Sequence, residues 1–364
     1  MSGRLLRLVC TAAVVAGTVL APLPAAAVPE PEPRERSVAD LLTDLQRLYR
    51  EAEKATETYN ATEEKLRLKR AELTRLDSAL TEARLSLHDS RGAAGRLARQ
   101  QYQNSTDISP YVRLLLARDP QHALDQGHVI GQLAKERADT VGRLTGTEHR
   151  ADELARRARG ALDDQLTLAA RQKKDRDDVR DRLDDVAGLL ASLTAEQLTR
   201  LAEFEEQGVQ KAQQELTASG ALGDDDREPS REGEKALEYA RRQLGKPYEW
   251  GAEGPKTYDC SGLTSQAWAH AGTAIPRTSQ EQWARLPRID LEDLRPGDLV
   301  IYFPEATHVA IYLGQGEVIE APRTGEKIKV SPIASHPLLG AVRPDEAGQA
   351  PATDARYAPV FSGS

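Results

Sequence analysis

The sequence predicts a multidomain protein, an all-α coiled-coil hairpin followed by a small α+β domain. Three observations carry this. Apolar residues recur at alternating steps of three and four from Val38 to Leu97 with no proline between them, which is the period of a coiled-coil seam and not of a globular helix. Composition breaks over residues 219–234, where Gly220, Gly223, Asp224, Asp225, Asp226, Pro229 and Gly233 crowd together. From Leu299 onward, short runs rich in β-branched and aromatic residues alternate with glycine turns, the pattern of strands in a sheet.

At the start of the chain Arg4 and Arg7 precede an apolar run from Leu8 to Leu20, and Ala25-Ala26-Ala27 offers small residues for cleavage. Residues 1–27 therefore read as a secretory signal peptide, followed by a short linker at 28–37. The apolar run is short for a membrane span. Residues 38–218 are assigned to the hairpin. Its first arm carries Leu41, Leu45, Leu48, Ala52, Ala55, Tyr59, Leu66, Leu73, Leu76, Leu80 and Leu87 on one stripe, interrupted at Thr62, Lys69 and Ser90. Such an arm is roughly 90 Å long. Pro110 opens a short apolar helix, Tyr111 to Ala117, which Asp119-Pro120 stops. A second arm runs from about Ala123 to Leu216, with a drift in register over 162–172. Two long helices around a compact tip read as an antiparallel hairpin; parallel dimerisation through the first arm is the alternative.

The stretch 219–234 reads as a flexible acidic linker. The domain at 235–343 is expected to hold helices at Glu234–Leu244, Ser261–Ala271 and Ser279–Arg285. Strands are expected at Leu299–Phe303, Val309–Leu313, Glu317–Glu320 and Lys327–Val330, with Gly314-Gln315-Gly316 as a hairpin turn. The tail at 344–364 is Ala, Pro, Gly and polar, and is expected to be disordered. With 29% charged, 4% aromatic and 39% hydrophobic residues, much of the chain is surface helix rather than thick core. A net charge of −8 argues against nucleic acid as a partner, since no basic surplus exists to neutralise phosphates. His88, His122, His128 and His149 have no metal-ligand spacing and read as surface residues. No metal or cofactor is expected.

The chemistry centres on Cys260. The other cysteine, Cys10, falls in the signal segment, so the mature chain holds one thiol and no internal disulfide. Gly251, Gly254 and Pro255 forbid regular structure just before it, and helical spacing begins just after. Cys260 thus sits at a helix N-terminus with Asp259 or its neighbour as cap, where free N–H groups favour a thiolate. A lone cysteine is equally a small buried hydrophobe. A cysteine nucleophile needs a base, and the base an orienting partner. His270 lies about 15 Å along the same helix and is too far; His336, between Ser335 and Pro337, reads as surface loop. His308, opening a strand, is the base candidate by elimination. Glu320 closes the neighbouring strand within a step or two of it. It is either the orienting carboxylate or an exposed strand end.

Five motifs in order carry a resemblance. They are Pro247-Tyr248-Glu249-Trp250-Gly251, Tyr258-Asp259-Cys260-Ser261-Gly262-Leu263, Pro276-Arg277-Thr278-Ser279, Leu294-Arg295-Pro296-Gly297-Asp298-Leu299 and His308-Val309-Ala310-Ile311-Tyr312-Leu313-Gly314. Over residues 235–343 the chain resembles the NlpC-type cell-wall cysteine peptidases, a compact papain-like family. The resemblance implies Cys260 as nucleophile, His308 as base and Glu320 as the orienting residue, a position more often histidine in the family. It also implies that Tyr248, Asp259 and Ser261 shape the substrate site. Ala252 departs from the pattern, where many members have a second glycine. The implied activity is cleavage of peptidoglycan stem peptides between D-γ-glutamate and a diamino acid, outside the cell. The implied partners are peptidoglycan and, through the coiled coil, a membrane-embedded regulator of the FtsE–FtsX kind. The alternatives are a catalytically silent adaptor and a cysteine-dependent amidase.

Overall fold

The computed structural model describes residues 37–103, 112, 115–116, 119–223 and 227–346. The signal segment, the linker up to residue 36, most of the apolar segment expected at Tyr111–Ala117 and the tail from residue 347 lie outside them. Helix α1 (Val38–Gln103) runs 66 residues without a break, about 100 Å. Helix α2 (Pro120–Ala191) runs 72 residues. The two are antiparallel: Glu51 pairs with Arg182, Thr62 with Asp175, Lys69 with Asp164 and Arg91 with Glu148, so partner numbers fall as those of α1 rise. Leu76 and Leu80 pack on Ala158 and Ala161, and Leu87 joins Ala83 and Ala151. Asp119-Pro120, read from the sequence as a stop, opens a helix. Asp119 caps α2 by accepting from His122 N at 2.8 Å, with Pro120 in the first turn, where a missing N–H costs nothing.

The second arm is not continuous. It stops at Ser192, and helix α3 (Ala195–Ala218) starts afresh behind a capping box of Thr194 and Gln197. The break lets α3 pack beside α1, where Leu201 joins Leu41, Leu42, Leu45 and Val186. It also carries α3 onto the second domain.

That domain opens with α4 (Arg231–Arg241), capped by Ser230 and therefore beginning four residues before the expected domain start. Helices α5 (Cys260–Ala271) and α6 (Ser279–Arg285) follow. The strands are β1 (Arg288–Ile289), β2 (Leu299–Tyr302), β3 (His308–Gly314), β4 (Glu317–Glu320), β5 (Lys329–Pro332) and β6 (Leu338–Val342). They form one antiparallel sheet in the order β1-β6-β2-β3-β4-β5. One sheet face packs Leu299, Ile301, Val309, Ile311 and Ile319 against Leu263, Ala267 and Trp268 of α5 and Ala236 and Leu237 of α4. The other packs Val300, Tyr302, Ala310, Tyr312 and Val318, with Leu216 of α3 and Leu222 over them. Burial on both faces explains why these strands read as unbroken apolar runs.

Both ends of the acidic linker are tied to the sheet domain. Leu222 packs over it, and Arg227 pairs with Asp293 at 2.9 Å and donates to the Glu292 carbonyl. At the far end the ordered chain outlasts the expected boundary at 343, because Pro344–Glu346 forms a short 3-10 turn and Asp345 pairs with Arg295 at 2.7 Å.

Candidate active site

Cys260 is the first residue of α5, and Asp259 is its cap, with Oδ1 accepting from Gly262 N at 2.6 Å. The helix start is pressed against the preceding loop. A Cβ on Gly262 would stand 2.2 Å from the Ala252 carbonyl oxygen, so no side chain fits there. Asp259 Oδ2 accepts from Gly251 N at 2.9 Å, and Arg277 holds both carboxylate oxygens, at 3.1 and 2.8 Å. The Arg277 Nη1 also donates to Ser261 Oγ at 2.8 Å. The buried carboxylate and guanidinium thus lock the loop, the helix start and the segment before α6 together.

His308 opens β3 and Glu320 closes β4, one step past the Ile311–Ile319 pair, so both reach the same face of the sheet. His308 Nε2 stands 2.8 Å from Glu320 Oε2. A carboxylate only accepts, so this nitrogen carries the proton and Nδ1 is the free one. Ser331 Oγ donates to the other Glu320 oxygen. Burial lowers the pKa of His308, but the Glu320 hydrogen bond and the charges of Glu53, Glu320 and Glu57 outweigh it and raise it. Burial likewise works to raise that of Glu320, and its two histidine neighbours hold it well below the usual carboxylate range.

The sequence-predicted residues Cys260, His308, Glu320, Asp259, Ser261 and Tyr248 are all buried, and the charges of Glu53 and Glu57 act on both Cys260 and His308. Burial first, then the charges of Cys260 and Asp259, raise the phenol pKa of Tyr248, which lies in the same core cluster as Cys260. Two expectations fail. A helix N-terminus leads one to expect an acidified thiol. Here burial pushes the Cys260 thiol well up, Glu57, Asp259 and Glu53 push it further, and a Val309 N–H hydrogen bond opposes them. His336 does lie on a loop, but it is only 22% exposed and its ring is turned inward. Its ring lies between those of Tyr302 at 5.5 Å, Phe303 at 5.4 Å and His308 at 4.9 Å. His270 is remote from the thiol, packed beside Tyr239.

Part of the thiol shift comes from α1, which sits over the cluster and brings Glu57 and Glu53 to it. Glu57 is 1% exposed. Its Oε1 accepts from Ser261 Oγ at 2.7 Å and lies 3.9 Å from Cys260 Sγ, and its Oε2 accepts from Ser279 N at 2.8 Å. Glu53 Oε1 is 4.0 Å from His308 Nδ1. Asn60 Nδ2 donates to Asp259 Oδ2 at 3.0 Å, and the Tyr59 ring meets Trp250 edge to face at 5.1 Å. Farther out, Arg323 pairs with Glu205 of α3 at 3.1 Å and lies over the Tyr49 ring, while Gln213 bridges Gly316 O and Ala334 N. Sequence reasoning missed Glu53, Glu57 and Asn60. Their only local trace is that from Ala52 to Thr62 the seam of α1 loses its leucines and a polar stripe at steps of four and three replaces them, which does not say what the stripe faces.

Residues 245–340 match the model of the NlpC/P60 family. A probable endopeptidase of Corynebacterium glutamicum is 43% identical over 111 residues, 30% of this chain and 53% of that protein. The probable endopeptidase p60 of Listeria monocytogenes is 47% identical over 90 residues, 24% of this chain and 19% of that protein. The solved NlpC/p60 domain of the peptidoglycan hydrolase SagA is 32% identical, over 30% of this chain and 97% of that one, with a TM-score of 0.29. The chain therefore spans about half the length of the Corynebacterium relative and less of the Listeria one.

Proposed function

The chain belongs to the NlpC/P60 family through residues 245–340, and from there we propose that it is a secreted peptidoglycan hydrolase. In this reading it is a cysteine DL-endopeptidase that cuts stem peptides at the D-γ-glutamyl–diamino acid bond, in wall remodelling or cell separation. The observation that carries the reading is a single thiol at a helix N-terminus in one buried cluster with a His308–Glu320 pair. The endopeptidase names of the relatives agree with it. Cys260 gives its proton to His308 Nδ1 and attacks the peptide carbonyl. His308 then returns the proton to the leaving amine and activates the water that releases the acyl group. Glu320 keeps the proton on Nε2 and stabilises the imidazolium. Backbone N–H groups at the start of α5 receive the oxyanion. Tyr248, Asp259 and Ser261 shape the substrate site.

The reading includes control. A substrate carbonyl has no path to Cys260 while Glu57 occupies the space beside it, so α1 holds the cleft shut until the hairpin is moved. Leu115 and Leu116 are 84% and 69% exposed between the long helices. Such a patch suits an apolar partner surface, and a membrane-embedded FtsE–FtsX-like regulator is the partner proposed.

Mass spectrometry of digested muropeptides tests the chemistry. A new γ-D-glutamyl terminus is expected. A freed muramyl lactoyl group assigns an amidase instead, and no product from a chain with the hairpin displaced assigns a silent adaptor.

A further inference from the structure

We propose that His308, Glu320 and His336 form a site for a zinc-type divalent cation whose occupancy switches the His308 base off. The three residues each offer one ligand atom, and these atoms lie within 4.8 Å of one another. The Nε2 atoms of both histidines converge on one oxygen, Glu320 Oε2, at 2.8 Å from His308 and 3.4 Å from His336. His336 Nε2 is buried, and its 3.4 Å approach to Glu320 Oε2 falls short of a well-formed hydrogen bond. A buried nitrogen so weakly satisfied is costly to keep out of water, and a metal ion satisfies it fully.

The donor set is two imidazoles and one carboxylate, the set that zinc takes in tetrahedral sites with a fourth position left to water. Ligands on one zinc stand roughly 3.3 Å apart for bonds of about 2.0–2.1 Å, so only small movements are required. The ligands are also held in advance. The His336 ring is wedged among Tyr302, Phe303 and His308, and Ser331 Oγ secures the second Glu320 oxygen. The loop bearing His336 is fixed by Ala334 N to Gln213 and by Phe303 N to the Pro337 carbonyl.

The consequence follows from the proton. In the metal-free site the proton on Nε2 is donated to Glu320, and Nδ1 keeps its lone pair for the Cys260 proton. A zinc ion on Nε2 displaces that proton. In the neutral ring it moves to Nδ1, and from an imidazolium one proton is released to solvent. Either way Nδ1 has no lone pair left, and Cys260 has no base. This inhibition rests on the proposed Cys260–His308 chemistry, whereas the binding itself does not.

The test separates the two. In a tag-free full-length Cys260→Ala chain, which has no thiol to bind zinc in the domain, calorimetric titration with Zn2+ is expected to show one site. Glu320→Gln and His336→Ala in that background are each expected to weaken it by more than about 10-fold. His336→Gln, which keeps more of the ring's volume, serves if His336→Ala fails to fold by circular dichroism. Co2+ is expected to give the visible bands of a tetrahedral site without thiolate charge transfer. Affinity unchanged in both His336 variants, or zinc binding that disappears with Cys260, overturns the site. Binding as expected with hydrolysis by the Cys260 enzyme unaffected at saturating zinc overturns the switch.

Discussion

Helix α1 buries two kinds of surface. Between Leu76 and Leu87 it buries leucines and alanines against α2. Between Glu53 and Thr62 it buries Glu53, Thr56, Glu57, Asn60 and Thr62, most of them over the Cys260 cluster. The two stretches differ in what opening them costs. Exposing the apolar seam costs about 25 cal/mol for each Å² of apolar surface. The polar stretch regains its hydrogen bonds from water, and its two carboxylates are relieved of a desolvation penalty that they carry while closed. The same helix is therefore built to stay paired with α2 and to let go of the peptidase domain.

The largest expected effect lies beneath the polar stretch. In a chain beginning at Arg231, Cys260→Ala is expected to lower muropeptide release by at least about 1,000-fold, with the domain still folded by circular dichroism. Release that persists moves the chemistry off this thiol, and α1 then covers something other than a catalytic centre. The next pair of variants sets the two stretches against each other in the full mature chain. Leu80→Ala is expected to destabilise the hairpin by about 2–5 kcal/mol in thermal unfolding and leave hydrolysis where it was. Glu57→Ala is expected to leave the melting profile nearly unchanged and raise hydrolysis by about 10-fold, since it removes two hydrogen bonds to the domain. Equal rates for the full chain and the chain from Arg231 make the hairpin a spacer, and the comparison collapses.

Within the domain Glu320 is the finer case. Glu320→Gln keeps an acceptor for the His308 proton but loses the charge, and hydrolysis is expected to fall by about 10- to 100-fold, against near-complete loss for His308→Ala. This residue also shows what the sequence could carry. The pairing of His308 with Glu320 was left open by a residue or two of hairpin register, but the places of Cys260, His308 and Glu320 at element ends were legible. Strands β1 and β6 were not. One is two residues long, and the other, Leu338-Leu339-Gly340-Ala341-Val342, follows a proline and contains a glycine, so its strand character comes from lying between β1 and β2. The break before α3 was hidden because Thr194 and Gln197 look like ordinary surface residues until the cap forms. The role of Glu57 was hidden for another reason. Its partners Ser261 and Ser279 are some 200 residues away, and no local rule distinguishes a glutamate facing a cleft from one facing water.

The smallest expected effect is a dependence of closure on pH. Burial, and then the Asp259 charge, push the Glu57 carboxyl from its ordinary 4.5 up to about 7, against the pull of Arg277, Ser261 and Ser279. The other groups facing it are the Cys260 thiol and, from α1 itself, Asn60. Glu53 is shifted upward by burial as well, and His308 upward on balance. Both glutamate shifts have the same sign, and of the charges that raise His308 only those of Glu53 and Glu57 leave with α1: the closed arrangement binds protons that the open one releases. Closure is thus fully favoured below about pH 4.5 and weakens as pH rises through about 7, by at most about 1.4 kcal/mol per unit for each proton. The hydrolysis rate of the full chain divided by that of the chain from Arg231 removes the pH profile of the chemistry itself. That ratio is expected to rise by about 5- to 10-fold from pH 5 to pH 7. Glu57→Gln keeps the side chain's shape without its proton and is expected to flatten most of the rise. A wild-type ratio that is level across this range would mean that Glu57 enters and leaves the cleft in one protonation state, and that displacement of α1 is governed by the hairpin's partner alone.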